Sequence, residues 1–271
     1  MKRNQRIGAI MNILTTHPNK VFSYNYFTEK FEAAKTSISE DIVIVKETVG
    51  LLDLGEIQTL PGAAGGVRYI PSVNEEEEED VVQLIAEMLN SKERILAGNF
   101  IYMVDMLYNP ILVARIAKIF ANQYRTADLD YVVTVETKGI PLAFETARLL
   151  NVPLVIIRRN IKITEGATVN INYVSGSSGN IQTMSLSRKA MKEGARVLVV
   201  DDFMKAGGTA KGIVEMMKEF KSEVEGICVL MSTAEPEIKL VDSYYSLLTL
   251  EKIDNHNGEI YIKAGKEIVQ G

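Results

Sequence analysis

Apolar residues in the first 50 positions recur every three or four residues, which predicts three short helices. Ser23 is a good N-cap for the second helix. The third is expected to follow the N-cap Ser39 and to end at a glycine, Gly50 or Gly55. The inward positions are Ile7, Ile10, Met11 and Leu14 in the first helix, Tyr26, Phe27 and Phe31 in the second, and Ile42, Val45 and Val49 in the third.

Two short strand patterns follow, at residues 56–60 and 67–70. Between them lies PGAAGG (residues 61–66), whose proline and glycines predict a flexible hairpin tip. Three helices followed by a glycine-tipped hairpin are the layout of a winged helix-turn-helix. We therefore expect such a domain over residues 1–73, used for DNA binding or, alternatively, for dimerisation or protein contacts.

The acidic run NEEEEED (residues 74–80) marks the join between two domains. Asn74 is a good N-cap, and carboxylates in a first turn complement the helix dipole, so we interpret the run as a solvated helix start. Beyond it the chain alternates helices with strands. The helices are expected at 81–96, 110–125, 141–149 and 208–221, and the strands at 131–135, 153–157, 196–200, 226–231, 245–250 and 260–263. This alternation predicts an α/β domain over residues 74–271, with a central parallel sheet flanked by helices.

The stretch VLVVDDFMKAGGT (residues 197–209) ends a strand with two carboxylates and a glycine loop. Gly207 and Gly208 allow backbone N–H groups to face an anion in front of a helix N-terminus, and the Thr209 hydroxyl adds a donor. Asp201 and Asp202 instead suit vicinal hydroxyls, which donate hydrogen bonds to carboxylates. Together these features predict a ribose 5-phosphate site; the alternative is an ordinary turn between a strand and a helix.

The same stretch is similar to the phosphoribosylpyrophosphate (PRPP) motif of type I phosphoribosyltransferases. The turn at residues 136–139 also follows a strand and looks like their pyrophosphate loop, with Lys138 where these enzymes often have arginine. The resemblance implies that Asp201 and Asp202 hold the ribose hydroxyls and that residues 205–209 hold the 5-phosphate. The polar segment 163–187 would close over the ligand, although a plain surface hairpin has the same composition. The predicted ligand-binding residues are Glu136, Thr137, Lys138, Gly139, Asp201, Asp202, Phe203, Met204, Lys205, Ala206, Gly207, Gly208 and Thr209.

A winged helix joined to such a domain closely resembles the PurR purine regulators of Gram-positive bacteria, over the whole chain. The resemblance implies a homodimer that binds operator DNA of purine genes, with PRPP as its effector, with or without Mg²⁺. In a winged helix the third helix enters the major groove while basic residues meet phosphates. We predict base contacts from Thr36, Ser37, Ser39 and Lys46, and phosphate contacts from Arg3, Arg6, Lys20, Lys35 and Arg68. Acids of the third helix, Glu40, Asp41 and Glu47, would be repelled by phosphates and count against DNA binding.

Lys205 bears on whether the chain reacts with PRPP or only binds it. Some purine-transferring relatives carry an acid at this loop position, suited to accepting a proton from the base. A lysine ammonium is a poor proton acceptor at neutral pH and a good partner for phosphate. We therefore predict a regulator with no catalytic residue and no protein metal site. The alternative is an active purine phosphoribosyltransferase with an accessory winged helix.

Charge and composition agree with an intracellular DNA-binding protein. The net charge is −5, but residues 1–73 hold 8 Lys/Arg against 7 Asp/Glu and can present a basic face. We expect no membrane helix, because no apolar run reaches roughly 20 residues, and no signal peptide. Cys228, the only cysteine, lies in an apolar run and is expected to be a buried hydrophobic residue. These features predict a cytoplasmic protein.

Overall fold

The computed structural model describes residues 1–62, 65–98, 100–159, 166–174, 179–254, 256–265 and 267–269. Its first part contains the helices α1 (Arg3–Thr16), α2 (Tyr24–Phe31) and α3 (Lys35–Leu51), followed by the antiparallel strands β1 (Gly55–Leu60) and β2 (Gly66–Pro71). Apolar side chains of all five elements pack into one core. The winged helix-turn-helix is confirmed, although residues 63 and 64 of the predicted hairpin tip lie outside the described residues.

The third helix begins earlier than predicted. Its N-cap is Ala34 rather than Ser39, and Lys35 already lies in the first turn. Ile38 is fully buried and extends the inward row of Ile42 one turn towards the N-terminus. The packing of Ile38 therefore outweighs the capping preference of Ser39. All four side chains predicted to contact bases consequently lie within α3 itself.

The second part is an α/β domain. Its helices are α4 (Glu75–Leu89), α5 (Val104–Leu107), α6 (Pro110–Gln123), α7 (Ile140–Leu150) and α8 (Gly208–Glu219). Its strands are β3 (Ile95–Leu96), β4 (Phe100–Ile101), β5 (Tyr131–Val135), β6 (Leu154–Ile157), β7 (Thr168–Val174), β8 (Ile181–Ser187), β9 (Arg196–Met204), β10 (Glu223–Thr233), β11 (Ser243–Asp254), β12 (Glu259–Ala264) and β13 (Glu267–Val269).

A mostly parallel sheet forms the centre of this domain, with the strand order β12-β11-β10-β9-β5-β6 and with β13 paired to β11. Adjacent strands from β11 to β6 are parallel, as predicted. The strand predicted at 260–263 instead runs antiparallel to β11, because a connection of only a few residues joins antiparallel neighbours. The sheet is therefore parallel at its centre and antiparallel at one edge.

Alternate residues of β9 face opposite layers of the domain. Leu198 and Val200 pack with α4 to α7, whereas Val197 and Val199 pack with α8 and the β7–β8 hairpin. Burial on both faces explains the continuous apolar run in the sequence. After Arg196 at the start of the strand, the next polar side chain is Asp201 at its carboxyl end.

The helix predicted at 81–96 differs from the observed one. α4 ends at Leu89, and the chain then turns into the small β3–β4 hairpin. The guanidinium of Arg94 holds this turn by donating to the carbonyls of Met88 (2.6 Å) and Tyr102 (2.9 Å) and to the carboxylate of Asp105 (2.8 Å). These bonds satisfy backbone groups that a longer helix would have used.

The acidic run at the start of α4 is less solvated than predicted. Asn74 is the N-cap, as expected, and its side chain accepts a hydrogen bond from the Glu77 amide. Glu77 also accepts from Lys118 of α6 at 3.0 Å, and Glu78 accepts from the Tyr245 hydroxyl of β11 at 2.6 Å. These bonds therefore connect α4 to α6 and to β11.

Side-chain amides join the winged helix to the α/β domain. The Asn19 side chain donates to the Leu149 carbonyl, in the last turn of α7, at 2.8 Å. The Asn19 backbone amide donates to the Tyr69 carbonyl of β2 at 2.7 Å, which fixes this residue within the winged helix. The C-terminal end of α7 is thus tied to the winged helix.

Two expectations from composition can be compared with the structure. Cys228 is buried, as predicted. Over the described ranges, none of the helices combines the length and the apolar character that a membrane span needs.

Candidate effector site and nucleic-acid interface

A cavity of about 540 Å³ opens at the carboxyl ends of β5 and β9. These strands are adjacent and parallel, so the loops that follow them meet at one edge of the sheet. All the predicted ligand-binding residues except Gly139 and Ala206 line the cavity. Its wall also contains Phe100 and Ile101 from β4 and Arg159 after β6, which the sequence did not indicate.

The two acids at the end of β9, Asp201 and Asp202, interact with each other directly. The Asp202 amide donates to Oδ1 of Asp201 at 2.9 Å. Burial, and then the negative charge of Asp202, raise the pKa of the Asp201 carboxyl well above its usual range. Hydroxyl donors or a cation would stabilise the charged carboxylates, whereas a phosphate would oppose them. The pair is therefore suited to a diol.

Gly139 shapes the site from outside the cavity. A Cβ atom on Gly139 would lie 2.6 Å from Oδ1 of Asp201 and 3.0 Å from Oγ1 of Thr134. No larger residue fits without displacing the carboxylate. Gly139 is also the N-cap of α7, so the start of that helix and the position of Asp201 are fixed together.

The glycine loop has the geometry of an anion site. Gly207 has a φ of +80°, a conformation that glycine adopts readily, and is the N-cap of α8. The first N–H groups of an α-helix have no partner within it, and Gly208 and Thr209 of the first turn line the cavity. Ala206 has a different role, since its carbonyl accepts a hydrogen bond from the Leu240 amide at 2.9 Å.

Exposed basic side chains surround the cavity. Lys138, Arg159 and Lys205 line it, and in the described part of the chain none of the three forms a side-chain ion pair. Glu136 is already engaged: it accepts from the Arg159 amide at 2.8 Å and lies 3.6 Å from Nη1 of Arg158. Glu136 therefore holds the ends of β5 and β6 together, and the cations remain for an anionic ligand.

The polar segment predicted to close over the ligand contains the antiparallel β7–β8 hairpin. One face of this hairpin is buried, since Met184 and Leu186 pack in the core with α8. Residues 160–165 and 175–178 lie outside the described residues. Closure over a ligand stays a prediction.

The exposed face of α3 carries most of the residues predicted to contact DNA. Lys35, Thr36, Ser39 and Lys46 are exposed, and Ser37 is half-buried. Their accessibility fits a helix that enters a groove. Contact with DNA by these side chains stays a prediction.

The predicted arginine contacts have partners within the winged helix. Arg6, whose side chain is only 12% exposed, forms an ion pair with the fully buried Asp41, and Nε of Arg3 lies 3.4 Å from the same carboxylate. Asp41 was expected to face phosphates, but burial removes it from that surface. Nε of Arg68 donates to Oε1 of Gln58 at 2.8 Å. The ion pair between α1 and α3 therefore gives Asp41 a partner within the domain, so its charge does not oppose DNA binding as the sequence suggested.

Comparison with known proteins accounts for both parts of the chain. Residues 2–71 match the family described as "Bacterial purine repressor, N-terminal", and residues 103–262 match the "Phosphoribosyl transferase domain" family. The purine biosynthesis transcriptional repressor PurR of Bacillus subtilis is 47% identical over 97% of this chain and 93% of its own length. The chain belongs to the PurR family of purine transcriptional regulators.

Other similar proteins show how far this membership extends. A purine biosynthesis transcriptional activator PurR of Lactococcus lactis is 41% identical over 98% of both chains. A xanthine phosphoribosyltransferase of the same species is 28% identical over 69% of this chain and 98% of its own. The crystal structure of adenine phosphoribosyltransferase from Rhodothermus marinus shares the fold, with a TM-score of 0.52 and 18% identity over 64% of this chain and 99% of that one. The family's regulators match nearly the full chain, whereas these transferases match about two thirds of it.

Proposed function

We propose that this protein is a DNA-binding transcriptional regulator of purine genes that binds PRPP as its effector without catalysing phosphoribosyl transfer. The observation that carries the proposal is the similarity to PurR regulators over nearly the whole chain. The cavity supports the choice of effector, because diol acceptors lie beside an anion loop. Lys205, exposed at that loop, suits a phosphate and is a poor acceptor for the proton of a purine.

PRPP would span the two loops of the cavity. Asp201 and Asp202 would accept hydrogen bonds from the ribose hydroxyls, residues 205–209 would hold the 5-phosphate, and Lys138 would face the pyrophosphate. In the described residues no cluster of three or more His, Cys, Asp or Glu side chains could hold a metal ion by itself. Mg²⁺ commonly uses one or two carboxylates together with ligand phosphates and water, so the Asp201–Asp202 pair would hold it only with PRPP present.

Regulation would require at least two copies of the chain. A palindromic or repeated operator binds two winged helices, so the proposal includes a homodimer in the cytoplasm, where operator DNA and PRPP are found. PRPP would shift DNA occupancy through different affinities for two arrangements of the dimer. Because relatives are named both as a repressor and as an activator, either sign is compatible with this mechanism.

One experiment tests function and chemistry together. Binding to purine-promoter DNA would be measured with and without PRPP, each with and without Mg²⁺, and the same preparation would be assayed for pyrophosphate release with adenine, guanine, hypoxanthine and xanthine. We expect PRPP to change DNA affinity and no purine to be turned over. Efficient turnover would favour the transferase, and an unchanged DNA affinity would reject PRPP as the effector.

The bond between Asn19 and α7 offers a route from the effector site to DNA. α7 follows the N-cap Gly139 beside Asp201, and Asn19 is bound to the Leu149 carbonyl in its last turn. We expect Asn19→Gly to leave the Kd for PRPP unchanged and to reduce the PRPP-induced change in DNA affinity about fivefold, as a hydrogen bond of about 1 kcal/mol implies. Glycine suits the backbone here, because Asn19 has a φ of 58°.

The matched control is Asn151→Gly. Asn151 has the same φ of 58° and caps the same end of α7, but among the described residues it has no hydrogen bond to the winged helix. DNA affinity would be titrated by fluorescence anisotropy at zero and saturating PRPP. If Asn19→Gly and Asn151→Gly retain equal, normal responses, the Asn19 bond plays no part in coupling.

Lys35 tests the DNA face of α3. Its ammonium is exposed at the start of the helix, and we expect Lys35→Ala to weaken binding to all DNA sequences alike. The slope of log K against log salt should fall by about 1, the amount for one lost phosphate contact. Lys221→Ala, on the α/β domain, is the control and should leave the slope unchanged. An unaltered slope for Lys35→Ala would remove this residue from the predicted contacts.

A further inference from the structure

Lys239 is a charged residue buried beside the effector site. It lies in the connection between β10 and β11 (residues 234–242), and only 5% of its surface is exposed. Its ammonium donates to the carbonyls of Thr233 (2.7 Å) and Pro236 (2.6 Å) and to the Thr233 hydroxyl at 3.3 Å. Lysine is rarely buried without such partners, because removing an ammonium from water is costly.

The connection that Lys239 organises packs against the glycine loop (residues 205–209), which is the proposed phosphate loop. The Leu240 amide donates to the Ala206 carbonyl at 2.9 Å, and the Thr233 hydroxyl lies 3.4 Å from the Lys205 carbonyl. A Cβ atom on Gly207 would lie 3.1 Å from the Leu240 nitrogen and 3.5 Å from Cβ of Lys239 itself. The 234–242 connection and the phosphate loop are therefore in close contact, with little room at Gly207.

This contact has a consequence for the proposed anion site. The Ala206 carbonyl receives a hydrogen bond from the Leu240 amide, and neither of these residues is part of the cavity lining. With this acceptor engaged, the loop can present N–H groups rather than carbonyl oxygens to an anion. A buried positive charge behind the loop also favours an anion in front of it, because charges interact more strongly in a poorly solvated region.

We propose that Lys239 is a positioning residue for the 5-phosphate part of the effector site, acting through the 234–242 connection and through its own charge. This inference rests on the proposed function. It assigns Lys239 no contact with the ligand and no part in holding the pyrophosphate, which the 136–139 loop on another strand would bind.

The test separates the two halves of the site by using two small ligands. Ribose 5-phosphate and inorganic pyrophosphate would each be titrated by calorimetry into the wild-type protein, Lys239→Met and Lys239→Gln. We expect both variants to lose about tenfold in affinity for ribose 5-phosphate and to keep the wild-type affinity for pyrophosphate within about twofold. A role confined to overall stability would move both ligands together, so this selectivity is the decisive readout. Lys218→Met, an exposed lysine on α8, is the control and should match the wild type.

Each outcome has a distinct meaning. Unchanged ribose 5-phosphate affinity in the variants, or equal losses for both ligands, would overturn the role of Lys239 alone. Lys239→Gln retains two donors and a side chain of similar polarity, so it carries the test if Lys239→Met does not fold. A wild-type protein that binds neither ligand and does not respond to PRPP would instead reject the effector proposal itself.

Discussion

Replacement of Asp202 by alanine is expected to abolish the response at PRPP concentrations near the wild-type Kd, while DNA binding without effector stays intact. Asp202 lines the cavity beside Asp201, and the pair would accept the ribose hydroxyls. Losing a hydrogen bond to a charged group removes about 2 kcal/mol, so PRPP affinity should fall about 30-fold. Calorimetric titration with PRPP and anisotropy on promoter DNA measure the two quantities separately.

Asp80→Ala is the control for this variant. Asp80 is an exposed acid of α4, remote from the residues that line the cavity. It should bind PRPP and respond to it as the wild type does. A normal PRPP response in Asp202→Ala would show that the effector binds elsewhere, whereas lost DNA affinity in the absence of PRPP would show that Asp202 also supports the fold.

Substitution of Gly139 by alanine is expected to have a comparable effect without removing any polar group. The added methyl would lie 2.6 Å from Oδ1 of Asp201 and 3.1 Å from its Cα, so the carboxylate or the strand must move. Because the Asp201 carboxylate would leave the position proposed to bind the ribose hydroxyls, we expect PRPP affinity to fall at least about tenfold, which corresponds to roughly 1.4 kcal/mol.

Gly50→Ala is a matched control for Gly139→Ala. Gly50 lies in α3, and a Cβ atom there would have no neighbour within 4 Å. That variant should bind PRPP normally and melt at the same or a slightly higher temperature, since alanine favours helix. Normal PRPP affinity in Gly139→Ala would mean that Asp201 does not need its present position.

The sequence predicted the site's two loops because of a general property of parallel sheets. β5 and β9 are buried, β-branched strands, and the polar residues after them had to meet at one edge. Arg159 obeys the same rule after β6 and could have been found by it, since Arg158 and Arg159 directly follow the strand ending at Ile157.

Other features of the site had no comparable signal. β3 and β4 have two residues each, too few to show a strand period, so Phe100 and Ile101 could not be placed beside the cavity. The start of α3 depended on the burial of Ile38, and the pairing of Arg6 with Asp41 joins residues 35 positions apart. Both are tertiary effects that override local preferences. The burial of Lys239 could not be predicted either, because nothing in the neighbouring sequence indicates that this lysine is buried.

The buried Asp41 changes what the winged helix can offer to DNA. Arg3, Arg6 and Arg68 each already have a hydrogen-bonding partner inside the domain. A bidentate arginine–guanine contact would therefore be an exchange of one partner for another, with only the difference in energy gained. Lys35 and Lys46 are exposed to water, so on binding a phosphate they exchange water for the phosphate and release counterions from the DNA. Attraction to the double helix would thus come mainly from lysines, and discrimination between sequences would depend on the hydroxyl side chains of α3 and on the shape of the groove.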